Sequence, residues 1–238
     1  MDDFNNYIMS RRPTASRPLL GLTVLVVEDS LFSSEAIRLL CLRSGARIRR
    51  ADCLSSARKH LRVYRPSVVV VDLGLPDGSG AELIAELAIA RPQIDVVLAI
   101  SGDAGREVEA IGAGANGFLP KPIECLGVFQ QAILAHLPKT AQPPGPRVVP
   151  RDLITPDPIA FRDDIAHVAD VLRARPKGKT LDYVAQFTSG VARSAHDAPL
   201  EAAAAALAKD RATGRPVRGG VQRLNGMFEE RLAEGEVI

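Results

Sequence analysis

Residues 67–80 read "SVVVVDLGLPDGSG". The four valines, Val68 to Val71, are β-branched and apolar on both sides of a pleat, which is the composition of a strand buried on both faces. The run ends in a carboxylate, Asp72, and the chain then breaks into Gly74, Pro76, Gly78 and Gly80. A charge at the end of a buried strand has two readings. It caps the following turn, or the strand exists to hold it at an active edge of the sheet.

Working outward, similar runs occur at "LTVLVV" (22–27) and "DVVLAIS" (95–101), with weaker candidates at 47–51 and 116–119. Between them the apolar spacing is helical. Ile37, Leu40 and Ser44 share one face; Ala57, Leu61 and Tyr64 share a second; Leu83, Ile84 and Leu87 a third. Val108, Ile111 and Ala115 mark a fourth, and Val128, Ala132, Ile133 and Leu137 a fifth. Five such alternations predict an α/β domain, a doubly wound five-stranded parallel sheet covered by helices. In such sheets function sits at the carboxyl ends of the strands.

Composition narrows the partners. The 238 residues carry a formal net charge of +2, and both residues 21–140 and residues 151–238 hold 13 basic and 13 acidic groups. That balance argues against a strongly basic DNA-binding domain. No apolar run reaches the length of a membrane span, so no membrane partner is expected. Cys41, Cys53 and Cys125 are scattered with no metal-ligand spacing, which points to free thiols in reducing cytoplasm. Residues 1–20 lack an apolar signal core and read as a flexible arm. Arg47, Arg49, Arg50, Arg58, Lys59, Arg62 and Arg65 form a basic cluster, read as a solvated face or as an anion- or partner-binding patch.

Residues 138–158 contain seven prolines and read as a stiff, semi-extended linker after a first domain at 21–137. Residues 159–238 then read as a small all-α domain. Phe161, Ile165, Val168 and Leu172 follow Asp157 as N-cap and Pro158 at the first helical position. Leu181, Val184, Thr188 and Val191 follow Thr180 as cap; Leu200, Ala204 and Leu207 follow Asp197; Val217, Val221, Leu224, Phe228 and Leu232 close the chain. The "RGGVQRLNG" glycines read as a turn and a packing break.

Glu28 and Asp29 end the first strand, Asp72 the third and Ser101 the fourth, and Lys121 follows the fifth. All five lie at the same sheet edge. Three converging acids repel one another unless a cation sits among them. Hard oxygen donors suit Mg²⁺, and an opposing lysine and hydroxyl suit a transferring phosphoryl group.

Residues 22–137 resemble the receiver domain of a two-component response regulator, a flavodoxin-like fold. The resemblance rests on Glu28-Asp29 after "VLVV", Asp72 in "VVVVDLGLPDGSG", Ser101 in "AISG", Lys121-Pro122 in "NGFLPKP", and Phe118 three residues before the lysine. It implies that Asp72 is the phosphoacceptor. Asp29, Asp72 and the Gly74 backbone carbonyl then ligate Mg²⁺, with Glu28 acting through water. It further implies that Lys121 pairs with a phosphoryl oxygen after a cis Pro122 peptide, and that Ser101 and Phe118 form the switch. The resemblance further implies that the helix beginning "SLFSSEA" helps dock the phosphodonor, so Leu31 and Phe32 read either as exposed docking residues or as core packing. The implied partner is a sensor histidine kinase or a histidine phosphotransfer protein, and no separate catalytic domain is expected.

The helical half leaves three outputs open. It is a protein-interaction module, with a homodimer as one form; or a DNA-binding unit; or a histidine phosphotransfer bundle. "TLDYVAQFTSGVARSAHDAPL" resembles a helix-turn-helix with its break at Gly190, although Asp197 and Pro199 would cut short the recognition helix. For phosphotransfer, His167 falls on the polar side of its helix, but the Lys and Gly expected after it are missing. His196 is followed by "DAPL", so both histidines read better as surface residues.

Overall fold

A computed structural model describes residues 12–174 and 176–234, so residues 1–11 of the expected arm lie outside the described residues. The chain forms two compact units. One runs to Asp29 and from Ala36 to Thr155; the other takes Ser30–Glu35 and the chain from Pro156 onward.

The first unit is built on five parallel strands: β1 (Thr23–Val27), β2 (Arg47–Ala51), β3 (Val68–Asp72), β4 (Val96–Ser101) and β5 (Gly117–Pro120). Their order is β2-β1-β3-β4-β5. In register, Val26 faces Val70 and Val70 faces Leu98. The sheet is therefore doubly wound, and the direction of winding reverses between β1 and β3, where such folds place a ligand site. The intervening helices are α1 (Leu31–Ser44), α2 (Leu54–Val63), α3 (Gly80–Ile89), α4 (Glu107–Gly112) and α5 (Leu126–Leu134).

The valine run divides between two cores because strand side chains alternate. Val68 and Val70 join Val24 and Val26 against Ile37, Leu40, Phe129 and Ile133. Val69 and Val71 join Leu25 and Val27 against Leu54, Ala57, Leu83 and Ile84. Every side chain of Val68–Val71 is fully buried. β2, at the sheet edge, instead alternates exposed Arg47 and Arg49 with half-buried Ile48 and Arg50.

Two expected helix faces turn out differently. In α4, Val108 is 82% exposed and Ile111 45%, and the buried residues are Ala110 and, beyond the helix end, Ala115. The helix has only six residues, and small side chains let it lie close to the sheet. In α5 the core takes Leu126, Phe129 and Ile133 while Val128 faces out.

The proline-rich segment folds back onto the first unit. Gln142 Nε2 donates to the carbonyls of Leu134 and Leu137 at 3.0 and 2.8 Å, covering the end of α5. Arg147 donates to buried Gln130, whose Nε2 in turn donates to Ser44 Oγ at 3.1 Å. Ile154 is buried in the same core as Ile123, Leu126 and Phe129.

The second unit contains α6 (Pro158–Arg173), α7 (Lys179–Ser194), α8 (Ala198–Ala212) and α9 (Arg218–Glu234). Each helix packs on the next and α9 closes onto α6, forming a four-helix bundle. Its core includes Ile165, Val168, Leu172, Val184, Leu200, Leu207, Leu224 and Phe228. Asp157 accepts from Ile159 N at 2.9 Å and Asp197 from Leu200 N at 3.1 Å, so both cap their helices. Thr180 does not cap α7: Gly178 takes that position, and Thr180 lies inside the helix. The expected glycine break is also absent, since Gly219, Gly220 and Gly226 all lie within α9, Gly220 set against Leu207.

Also within this unit, buried Asp164 of α6 accepts from Ser30 Oγ, Leu31 N and Phe32 N at 2.7, 2.8 and 3.0 Å. Phe32 is buried and meets the Phe161 ring edge-on at 5.8 Å, so of its two readings core packing holds; Leu31 is 37% exposed.

Candidate functional site

The carboxyl ends of β1 and β3 bring three acids together. Glu28 and Asp72 are buried and Asp29 is half-buried. One carboxylate oxygen from each lies within 4.8 Å of the others. Lys121, itself buried, places Nζ 2.6 Å from Glu28 Oε2 and 2.7 Å from Asp72 Oδ2. Gly74 opens a two-residue ribbon with Gly78–Ser79, and its N–H donates to Asp72 Oδ1 at 3.1 Å.

The electrostatics follow from burial. Desolvation pushes the Glu28 carboxyl up to about 8, helped by Asp72 and Asp29 and opposed by Lys121. Burial works against the charge on Lys121, but Asp72 and Glu28 outweigh it and hold the ammonium above its usual range. Lys121 is therefore a fixed positive charge between Asp72 and Glu28.

Ser101, at the end of β4, is buried; its Oγ accepts from Asp103 N at 3.1 Å, and its carbonyl accepts from Lys121 N at 2.8 Å. The serine and lysine are thus tied through the backbone. Phe118, on β5, is half-buried against the core lined by Val69 and Val71. The Lys121–Pro122 peptide is cis.

Several neighbours escaped the sequence reading. Gly80 is one: a Cβ there would stand 1.9 Å from the Asp72 carbonyl oxygen, so only glycine lets α3 begin so close to the end of β3. Asp77 is another; its carboxylate accepts from Leu54 N and Ser55 N at 2.8 and 2.9 Å, capping α2. Arg50, assigned above to a basic cluster, donates to the Asp29 carbonyl at 3.2 Å. Elsewhere in that cluster Arg58 pairs with Glu86 at 2.6 Å. Arg106 is paired twice with Glu109, at 2.8 and 2.9 Å; this pairing first, and Asp72 and Asp103 at longer range, raise its guanidinium above the usual value. Spacing along the chain carries no signal for these contacts.

The donor set fits a small hard cation. Three carboxylates within reach of one another offer oxygen ligands, and among the described residues this is the group that could hold a metal. The lysine opposite supplies a cation for a second anion.

Comparison with known proteins gives the class. Residues 24–131 match the response regulator receiver domain, and this segment of the chain is such a domain. The chain is 30% identical over 124 residues to the KDP operon transcriptional regulatory protein KdpE of Escherichia coli (strain K12), a match over 51% of this chain and 55% of that protein. It is 28% identical over 116 residues to the virulence transcriptional regulatory protein PhoP of Salmonella typhimurium (strain 14028s / SGSC 2262), covering 48% and 52%. The chain spans about half the length of these curated relatives. Among solved structures it is similar to the receiver domain of sensor histidine kinase PA1611 from Pseudomonas aeruginosa PAO1, which holds a magnesium ion in its active-site cleft. That likeness has a TM-score of 0.44 at 19% identity, over 48% of this chain and 96% of the other.

In the second unit, α7 runs unbroken from Lys179 to Ser194 through Gly190, so the break required by the helix-turn-helix reading is not there. His167 is exposed with its ring 6.1 Å from that of Phe187, and His196 is exposed at the junction of α7 and α8 with φ of 56°. No helix among the described residues is long and apolar enough to cross a membrane.

Proposed function

We propose that the protein is a cytoplasmic two-component response regulator whose Asp72 accepts a phosphoryl group from a phosphohistidine of a sensor kinase or phosphotransfer protein. The carrying observation is Lys121 Nζ at 2.7 Å from Asp72 and 2.6 Å from Glu28, at the winding reversal of the sheet. An Asp72 carboxylate oxygen bonds to phosphorus as the phosphorus–nitrogen bond breaks, leaving an acyl phosphate here and a neutral imidazole on the donor. Lys121 leaves its carboxylate partners to pair with a phosphoryl oxygen. Ser101 Oγ supplies a hydrogen bond to the same group, and the space it vacates admits the Phe118 ring.

Asp29, Asp72 and the Gly74 carbonyl, with Glu28 through water, would hold Mg²⁺. When bound, the ion neutralises charge on the phosphoryl oxygens. The receiver's state passes to the four-helix unit, which acts by protein–protein contact or dimerisation; the equal counts of acidic and basic groups beyond residue 150 favour this. A DNA-binding output is the alternative, carried by the names of the curated relatives.

The test is labelling with acetyl phosphate in Mg²⁺. Wild type should take up one phosphoryl group and Asp72→Asn none; undiminished labelling of the variant would overturn the assignment. Light scattering with and without beryllofluoride, alongside DNA capture, separates the two outputs.

A further inference from the structure

The proline-rich segment supplies part of the backbone pairing of the loop that carries Lys121. Between β5 and α5, residues 121–125 belong to no regular element, and a buried polar backbone must find partners outside the loop. Lys121 N finds one in Ser101 O. On the other side, Ile154 N donates to Glu124 O at 2.9 Å, Leu126 N donates to Asp152 O at 3.0 Å, and Cys125 and Leu153 form an antiparallel bridge. Ile154 anchors this strap in the core beside Ile123. Gly127 is shaped to it: a Cβ there would lie 2.3 Å from Pro150 O and 2.6 Å from Val149 Cγ1.

A lysine reaches its target on a flexible four-carbon stem, so its precision depends on how firmly its backbone is held. We propose that the strap, residues 149–154, positions Lys121 for phosphoryl transfer, with Ile154 and Gly127 as its positioning residues. This rests on the reading of Asp72 as the phosphoacceptor. Because binding coupling is reciprocal, a phosphoryl group that binds Lys121 more tightly with the strap in place also tightens the strap.

The test uses the full chain, with Gly127→Ala to push the strap outward and Ile154→Ala to remove its anchor. Labelling by acetyl phosphate should slow three- to tenfold at saturating donor in both, while half-saturation by Mg²⁺ stays within twofold, because the three carboxylates lie on other strands. In wild type, beryllofluoride with Mg²⁺ should slow hydrogen exchange at the Leu126 and Ile154 amides, and Lys121→Ala should abolish that response. Wild-type labelling rates in both variants, or a response that survives Lys121→Ala, would overturn the proposal. Wild-type labelling that does not depend on Asp72 would instead overturn the acceptor reading beneath it.

Discussion

Gly80→Ala tests how the end of β3 is held. On propensity alone, alanine at the start of α3 should help the helix by up to ~1 kcal/mol. The structure predicts the opposite. The new Cβ would stand 1.9 Å from Asp72 O, 2.8 Å from Asp72 C and 2.9 Å from Val71 Cγ1, two backbone atoms and a buried side chain. None is the free end of a flexible chain, so β3 and α3 must part by about 1.5 Å to restore contact distance, and overpacking of that kind costs about 1–3 kcal/mol. Net of propensity, the expected loss is up to ~2 kcal/mol, a fall of up to about 8 °C in the unfolding midpoint for a chain of this size. The displaced atoms are the backbone of Asp72, so on the proposed acceptor role acetyl phosphate labelling should fall too. Hydrogen exchange at the β3 amides localises the effect, with faster exchange at Val70 to Asp72 expected. A variant as stable as wild type, with unchanged β3 exchange, would refute the close approach.

Burial holds the Glu28 carboxyl near 8 against 4.5 when exposed, so between those values the folded state keeps a proton that the unfolded state loses. Without metal, stability should fall as pH rises through that window, by on the order of 1 kcal/mol per unit. Urea unfolding in chelator at several pH values should show a flatter profile for Glu28→Gln, and equal slopes would contradict the assignment. Asp164→Ala removes the acceptor of three hydrogen bonds, one from a hydroxyl and two from backbone N–H groups. It should cost about 2–3 kcal/mol, read as faster exchange at the Leu31 and Phe32 amides.

The sheet was legible because its signal is local. Val68–Val71 and the runs at 22–27 and 95–101 are apolar on both faces, and only a covered parallel sheet accommodates that. The acids and lysine were legible as residue types at strand ends, since the parallel topology carries every such end to one edge. The packing of α4 was not, because periodicity finds the larger apolar residues while a six-residue helix buries its alanines instead. Asp164 stands directly after Asp163, and nothing in "FRDDI" distinguishes the buried acid from the exposed one.

The proline-rich segment was hidden for a different physical reason. Composition reports how stiff a chain is; it does not report where its backbone hydrogen bonds end. Residues 152–154 pair with residues 124–126 through peptide groups, which every sequence possesses, and one side chain, Ile154, enters the core. The trace the strap does leave is Gly127, a glycine inside a helix where alanine would be favoured by propensity. Gly80 has the same character beside Asp72. Both glycines lie where another stretch of backbone approaches too closely for a Cβ, and both adjoin the elements that carry the site. The mark is not general, because Gly190, Gly219 and Gly226 also lie inside helices with open space where a Cβ would stand; at Gly80 and Gly127 it is the approaching backbone that requires the glycine.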